Sequence, residues 1–241
     1  MAARVAELSA EIEALNAELE SLTYSMSHDL RAPVRAVMGF ARVLDEEYAE
    51  LLDAEGRRLL SIVSAEAERV NTLIDGLLAL SRLGRQAMES VPIDMASMAS
   101  EVAFQQAAFS GLDESALEIA ELPGATGDRD MVRLVWTQLL SNAVKFSRGS
   151  AQPRLEILAT VEPARVVYHV TDNGIGFDMR DADGLFGVFQ RLHGSDVFPG
   201  LGVGLAMVKR IMQRHGGSVW AAARPGEGAT FSFGLPAGGN G

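Results

Sequence analysis

The chain has no cysteine, which rules out disulfides and thiolate metal sites and fits a reducing compartment. It also lacks long apolar runs. Its first stretch, "MAARVAELSAEIEALNAELE", is interrupted by glutamates, so it is neither a signal peptide nor a membrane span, and no later run reaches bilayer length. Basic charge is in deficit: 21 Lys and Arg stand against 32 Asp and Glu, a net charge of −11. That balance argues against an electrostatic grip on nucleic acid or on an anionic membrane surface. No internal repeat is present, and low-complexity bias is confined to the Ala/Glu-rich start. Hydrophobic residues, at 48% of the 241, are ample for a buried core in one large domain or two small ones. These features predict a soluble, cytoplasmic protein.

Two apolar seams organise the first third. Val5, Leu8, Ile12, Leu15, Leu19, Leu22 and Met26 step by three and four, as in a coiled coil. Val34, Val37, Ala41, Leu44, Tyr48 and Leu51 form a second seam out of step with the first. Met26, Leu30 and Val34 join the two as a stutter, and Pro33 lies in this shift, where it cannot donate to the Asp29 carbonyl and is expected to bend the helix into a soft joint. "LLDAEG" at 51–56 reads as a turn. A second helix then runs to about Leu83, with Leu59, Ile62, Val70, Leu73, Leu77 and Leu80 on one face. Two such helices form an antiparallel hairpin whose stripes are half covered, so pairing two hairpins into a four-helix bundle is the natural remedy.

After a linker at 82–92 the pattern changes. Residues 94–109 read as a helix, 115–122 as a strand and 127–147 as a well-capped helix. "PRLEILATVE" and "ARVVYHVTDNG" read as a strand hairpin. A Gly-rich stretch spans 173–204, and a helix follows to about His215, closed by "GG". The strands "SVWAAA" and "ATFSFGLP" come last. This order describes a two-layer α/β domain with a mixed sheet.

Several local features could hold a nucleotide. Asn142 and Lys145 share a helical face; an amide oxygen can ligate Mg²⁺ and an ammonium can neutralise phosphate. In "DNGIGF", Asp172 offers an acceptor, and Gly174 and Gly176 let the backbone turn and approach a flat ligand. "GLGVGL" runs into a helix whose first amides can receive phosphate. "GEGATF" precedes the last strand. Each alone is also read as an ordinary helix surface or glycine turn. The order of the set, with "SHDLRAP" in the first half, resembles the sensor histidine kinases: a histidine box on a dimerisation hairpin, followed by an ATP-binding domain. The resemblance covers residues 21–236, and the stretch from "LFGVFQRLH" onward is most similar to kinases of phytochrome-like and PAS-linked sensors.

The resemblance implies an α+β chain: a helical hairpin forming a dimeric four-helix bundle, then a two-layer α/β sandwich of the histidine-kinase/gyrase/chaperone ATPase type. The implied divisions are a coiled-coil signalling helix at 1–22, the phosphoacceptor hairpin at 23–83, a linker at 84–92, the ATP-binding domain at 93–237 and a tail at 238–241. His28 would be the nucleophile and Asp29 its acceptor and base. Asn142 would ligate Mg²⁺, with Gln138 in doubtful metal geometry where relatives carry a second Asn. Lys145 and Arg191 would meet phosphates, Asp172 the adenine amino group, and Gly174 and Gly176 the adenine pocket. Gly202 and Gly204 would cradle phosphates under a lid containing Phe186 and Phe189, and Phe146, Leu205 and Thr230 complete the nucleotide set. His169 and His215 read as structural, and His193 as lid filler.

Related gyrase-type ATPases place a water-activating glutamate where this chain has Gln138, which disfavours a hydrolytic ATPase. Ala32, one turn after His28, has no polar atom to orient a water, so phosphatase activity is expected to be weak. The implied partners are a second copy, a response-regulator receiver domain and an upstream sensor, fused or on another chain. The alternative is a pseudokinase, a dimeric scaffold that binds nucleotide or a partner without phosphoryl transfer.

Overall fold

Heptad-spaced apolar residues make the first segment one long helix. In the computed structural model, which describes residues 2–192 and 202–237, helix α1 spans Ala2–Tyr48 without interruption at Pro33. A 3-10 turn at Ala49–Leu51 follows, and α2 spans Ala54–Arg85, its N-terminus capped by the Asp53 carboxylate, which accepts from the Gly56 amide. The chain divides into two units, Met1–Gln86 and Ala87–Gly241.

Within the hairpin the inward faces match the expected ones only in part. On α1 the covered positions are Thr23, Ser27, Arg31, Val34, Met38 and Ala41; on α2 they include the row Leu60, Ser64, Ala67, Asn71, Ile74, Leu78 and Ser81, beside which the expected Leu73, Leu77 and Leu80 are half-buried and Leu83 is buried. The α1 set and this α2 row step by three and four, which is one stripe of a helix, and towards the end of α2 the covered face widens. Leu59, Ile62 and Val70, expected on the packed face of α2, are 40–50% exposed. Met26, Leu30, Val37, Leu44 and Tyr48 of α1 are exposed as well. The predicted seams therefore mix two stripes, one spent within the hairpin and one left outward.

The inward stripe turns polar one helical turn beyond His28. Arg31 Nη2 donates to Asp75 Oδ1 across the hairpin at 2.5 Å, and Asn71 Nδ2 donates to Asp75 Oδ2 at 3.4 Å. Arg31 Nε and Asn71 Oδ1 are buried without a hydrogen-bond partner among the described residues.

The second unit opens with strand β1 (Val91–Ile93), which overlaps the end of the stretch expected to be linker. It pairs antiparallel with β3 (Ala125–Gly127) as a small separate sheet. Between them lie α3 (Met95–Ser110) and β2 (Leu117–Ile119). Then follow α4 (Arg129–Ser147), β4 (Leu155–Glu162) and β5 (Arg165–Asp172), and after these α5 (Gly204–Arg214), β6 (Ser218–Arg224) and β7 (Gly228–Pro236). The main sheet runs β2-β4-β5-β7-β6. Its first pair is parallel and the rest antiparallel, which makes the mixed sheet that was expected.

Alternation along β5 decides what faces the helices. Tyr168 pairs across to Phe233, and both rings meet the fully buried Trp136 of α4 edge-on at 5.8 and 5.0 Å. Val170 and Asp172 share that parity and point to the same layer. Thr171 and His169 point to the opposite face, where His169 lies between Ser232 Oγ at 2.8 Å and Thr160 Oγ1 at 3.2 Å.

Candidate functional site: histidine box and nucleotide cradle

His28 lies on the outer side of α1, its side chain 72% exposed, with Nδ1 3.4 Å from Asp29 Oδ1. An ionised carboxylate can only accept, so this contact places the proton on Nδ1 and leaves the lone pair on Nε2. Ser27 is turned inward, where its hydroxyl donates to the Thr23 carbonyl at 2.6 Å, so the neighbouring imidazole is carried to the surface. Ala32 is exposed.

In the second unit, α4 is the spine of the site. Asp128 caps it, accepting from the Met131 amide, and its C-terminal half carries Gln138, Asn142, Lys145 and Phe146. The Phe146 carbonyl meets Gly174 so closely that a β-carbon at 174 would collide with it. One turn of loop away, Gly176 has φ +58° and faces the carbonyls of Arg224 and Gly228 with no room for a side chain. Gly226 N donates to the Ile175 carbonyl at 2.7 Å. The two glycine loops thus interlock by backbone against backbone, which only glycine permits at that separation.

Asp172 ends β5 within this loop crossing, buried to 3% exposure, and accepts from the Gly174 amide at 2.9 Å. Desolvation pushes its carboxyl up to about 6, although the amides of Gly174 and Ala229 pull the other way. A buried acceptor with spare lone pairs suits an amino group on a flat ligand.

Positive charge gathers at the same end of α4. Lys145 Nζ sits 4.2 Å from the centre of the Phe146 ring. Burial first, and then the Arg191 guanidinium, holds the Lys145 ammonium below its ordinary value. Two cations brought together in a half-buried place suit an anion. At the start of α5 the positive-φ Gly202 accepts at its carbonyl from Phe189 N at 2.8 Å. The Cα of Gly204 lies against Gln138 Oε1. Leu205 is half-buried in the first turn of α5, and Phe186 is half-buried in the preceding segment. Residues 193–201, with His193, lie outside the described residues.

The structure thus brings Gln138 to Gly204, Phe146 and Asp172 to Gly174, and Lys145 to Arg191. Thr230 is separated from the set. Its register partner is Thr171, and their hydroxyls are 3.0 Å apart on the face opposite Asp172. There Thr230 borders a groove of about 240 Å³ with Thr171, Ala222 and Arg224, at whose edge Asp172 and Ala229 also contribute. Ala229 is the residue paired with Asp172; the two-residue period of a strand excludes both neighbours from one face.

The donor set fits a cation held mainly through phosphate oxygens. Among the described residues no three His, Asp or Glu side chains converge to hold a metal. The Asn142 amide oxygen is available on α4, whereas Gln138 is turned to Gly204. Mg²⁺ commonly takes one or two protein ligands and completes its shell with substrate phosphates and water.

The sequence reading missed the Arg31–Asp75–Asn71 cluster and a contact between His215 and Asp128. Partners 44 and 87 positions apart leave no local pattern to detect.

Residues 18–86 match the His Kinase A (phospho-acceptor) domain, and residues 127–239 match the histidine kinase-, DNA gyrase B- and HSP90-like ATPase. The phytochrome-like protein Cph1 of Synechocystis sp. is 31% identical over 98% of this chain and 32% of its own length. Cyanobacterial phytochrome A of Nostoc sp. is 34% identical over 98% of this chain and 31% of its own. The chain therefore spans about a third of the length of these relatives. Among solved structures, full-length ShkA in complex with AMPPNP superposes with a TM-score of 0.60 at 28% identity, covering 90% of this chain and 45% of that one. Together with the histidine box on α1 and the interlocked glycine loops beside α4, these matches show that the chain belongs to the sensor histidine kinases of two-component systems.

Proposed function

We propose that this chain is a histidine kinase core that phosphorylates His28 from Mg-ATP and passes the phosphoryl group to an aspartate of a response-regulator receiver domain. The observation that carries this reading is the exposed His28 imidazole, with Nδ1 facing Asp29, which leaves the Nε2 lone pair for attack. Nε2 attacks the γ-phosphorus in line; the bond from that phosphorus to the β,γ-bridging oxygen breaks, and ADP leaves with the electron pair. Asp29 holds the Nδ1 proton and offsets the charge that develops on the ring.

Family membership and the nucleotide analogue in ShkA support placing ATP in the second unit. Asp172 receives the adenine amino group there, Gly174 and Gly176 line the ring site, and Lys145, Arg191 and the amides from Gly202 to Leu205 take the phosphates. Asn142 would hold Mg²⁺, which supplies charge neutralisation at the phosphate oxygens when bound. Gln138 has no carboxylate to activate water, which favours transfer over hydrolysis.

The outward stripe of the hairpin supports a homodimer. Met26, Leu30, Val37, Leu44, Leu59 and Ile62 are all more than 40% exposed in one copy, and a second hairpin would cover them in a four-helix bundle. The methyl of Ala32 supports weak phosphatase activity. An upstream sensor is the proposed input and the cytoplasm the proposed location; among the described residues no helix is long and apolar enough to cross a membrane.

Incubation with radiolabelled ATP and Mg²⁺ tests the proposal. An acid-labile, alkali-stable label on the wild type and its loss in His28→Gln is the expected result. A wild type that binds nucleotide and takes no label would instead identify a pseudokinase scaffold.

A further inference from the structure

The residues assigned to the phosphates sit on two antiparallel helices that are pinned to each other twice. Gln138 of α4 packs on Gly204 at the start of α5. At the far end, α5 closes at His215, and the ring reaches the N-cap of α4: the Asp128 amide donates to His215 Nε2 at 3.0 Å. His215 Nδ1 lies 2.8 Å from the Ile211 carbonyl. A carbonyl only accepts, so Nδ1 carries the proton and Nε2 presents its lone pair to Asp128. The two pinned stretches have matching lengths, about 15 Å from 128 to 138 and about 16 Å from 204 to 215 at helical rise.

This geometry fixes how far α5 can slide along α4. Asn142 and Lys145 lie further along α4 than the Gln138 contact, so a slide of α5 would change the gap between the Gly202–Gly204 backbone and Lys145. The ring is closely fitted at its site, because a β-carbon on Gly127 would come within 2.8 Å of its Cδ2. Asp128 also ties in the entering chain: its Oδ2 accepts from the Glu89 amide at 3.1 Å while Oδ1 caps α4.

We propose that His215 is a positioning residue for the nucleotide phosphates: it sets the register of α5 against α4, and through Asp128 it links that register to the entering segment at Glu89. The inference rests on the reading that Gly202, Gly204 and Lys145 take up those phosphates.

A pair of isosteres tests it on the full chain, with Mg-AMPPNP affinity measured by calorimetry and ATP kinetics measured by label transfer. His215→Gln places an amide oxygen near the position of Nε2, and His215→Asn does not. Loss of one hydrogen bond predicts that His215→Asn weakens AMPPNP binding about three- to tenfold and raises KM, with kcat at saturation within about twofold. His215→Gln retains affinity within about twofold, while both variants lose the ring and so melt lower by a similar amount. Equal affinities in the two variants would overturn the proposal and leave the ring a space-filler. If His215→Asn does not fold, Gly127→Ala, whose methyl pushes the ring off Asp128, is measured in the same way; unchanged affinity overturns the role. Glu89→Pro, which removes the linking amide, is expected to weaken binding in the same direction, and no change would break the link to the entering segment. Failure of the wild type to bind AMPPNP overturns the phosphate assignment itself, and the register role with it.

Discussion

Gln138 Oε1 rests against the α-carbon of Gly204, where a β-carbon would have to displace it. That glutamine closes the gap between two helices.

That contact predicts a stability coupling. In the wild type, Gly204→Ala should be neutral or destabilising by up to about 1 kcal/mol, because the better helix former must push the amide aside. In a Gln138→Ala background the same change should be neutral or stabilise by up to about 0.5 kcal/mol, since Gly204 is the first residue of α5 and gains only part of the interior helix propensity. Urea unfolding of the four proteins of this cycle measures the difference; strict additivity would mean that the two residues do not interact.

Asp172 predicts a pH-dependent stability. Its carboxyl is held up near 6 by burial, against 3.8 for the ordinary group, so the folded chain keeps this proton more tightly than the unfolded chain does. As pH rises from about 4 to about 6 the unfolded state ionises first, and folding loses up to about 3 kcal/mol before the curve flattens. Asp172→Asn lacks that loss. The variant should therefore gain on the wild type across this window in denaturant titrations while binding adenine nucleotide more weakly, and parallel stability curves would contradict the burial argument.

The Arg31–Asp75 pair predicts an asymmetric response to mutation. Removing Asp75 alone leaves a guanidinium, 23% exposed at its side chain, without its cross-hairpin partner, and should cost about 1–3 kcal/mol. Replacing both with Arg31→Met and Asp75→Leu should recover most of that cost, since two apolar groups need no partner. Thermal denaturation at fixed protein concentration is the measurement, and a double variant as unstable as Asp75→Ala would argue that the pair is a net stabiliser.

Two glycines with the same hand of backbone predict different costs. Gly176 has φ +58° and Gly226 has φ +76°, but only Gly176 faces carbonyls where a β-carbon would go; nothing lies within 4 Å at Gly226. Gly226→Ala should cost about 1–2 kcal/mol, the left-handed penalty alone. Gly176→Ala adds a clash that no side-chain rotation can relieve, so it should cost clearly more and abolish nucleotide binding. Equal melting temperatures for the two variants would contradict the interlocked loops.

Much of this protein could be read locally. The helices of the hairpin, the strand pair ending at Asp172 and the glycine loops follow from periodicity and turn residues, because each depends on neighbours a few positions away; the His28–Asp29 pair takes its meaning only from the family resemblance that the whole order of motifs carries. The long helix through Pro33 is a related case: the residue removes one donor, yet α1 continues on both sides.

Tertiary structure decided what depends on parity and on distant partners. An amphipathic helix with two apolar stripes does not announce which one its own hairpin will use, and packing gave the inward place to Leu60, Ala67, Ile74 and Leu78. A shift of one residue on a strand reverses the face, so register alone placed Ala229 beside Asp172 and turned Thr230 away. The raised proton affinity of Asp172, the Arg31–Asp75 bond and the His215–Asp128 pin arise only when segments far apart in the chain exclude water from one another. The sequence by itself determined which chemical groups this protein has to work with; the tertiary structure decided which of them meet, because burial and register are properties of the packed chain and not of any local stretch of it.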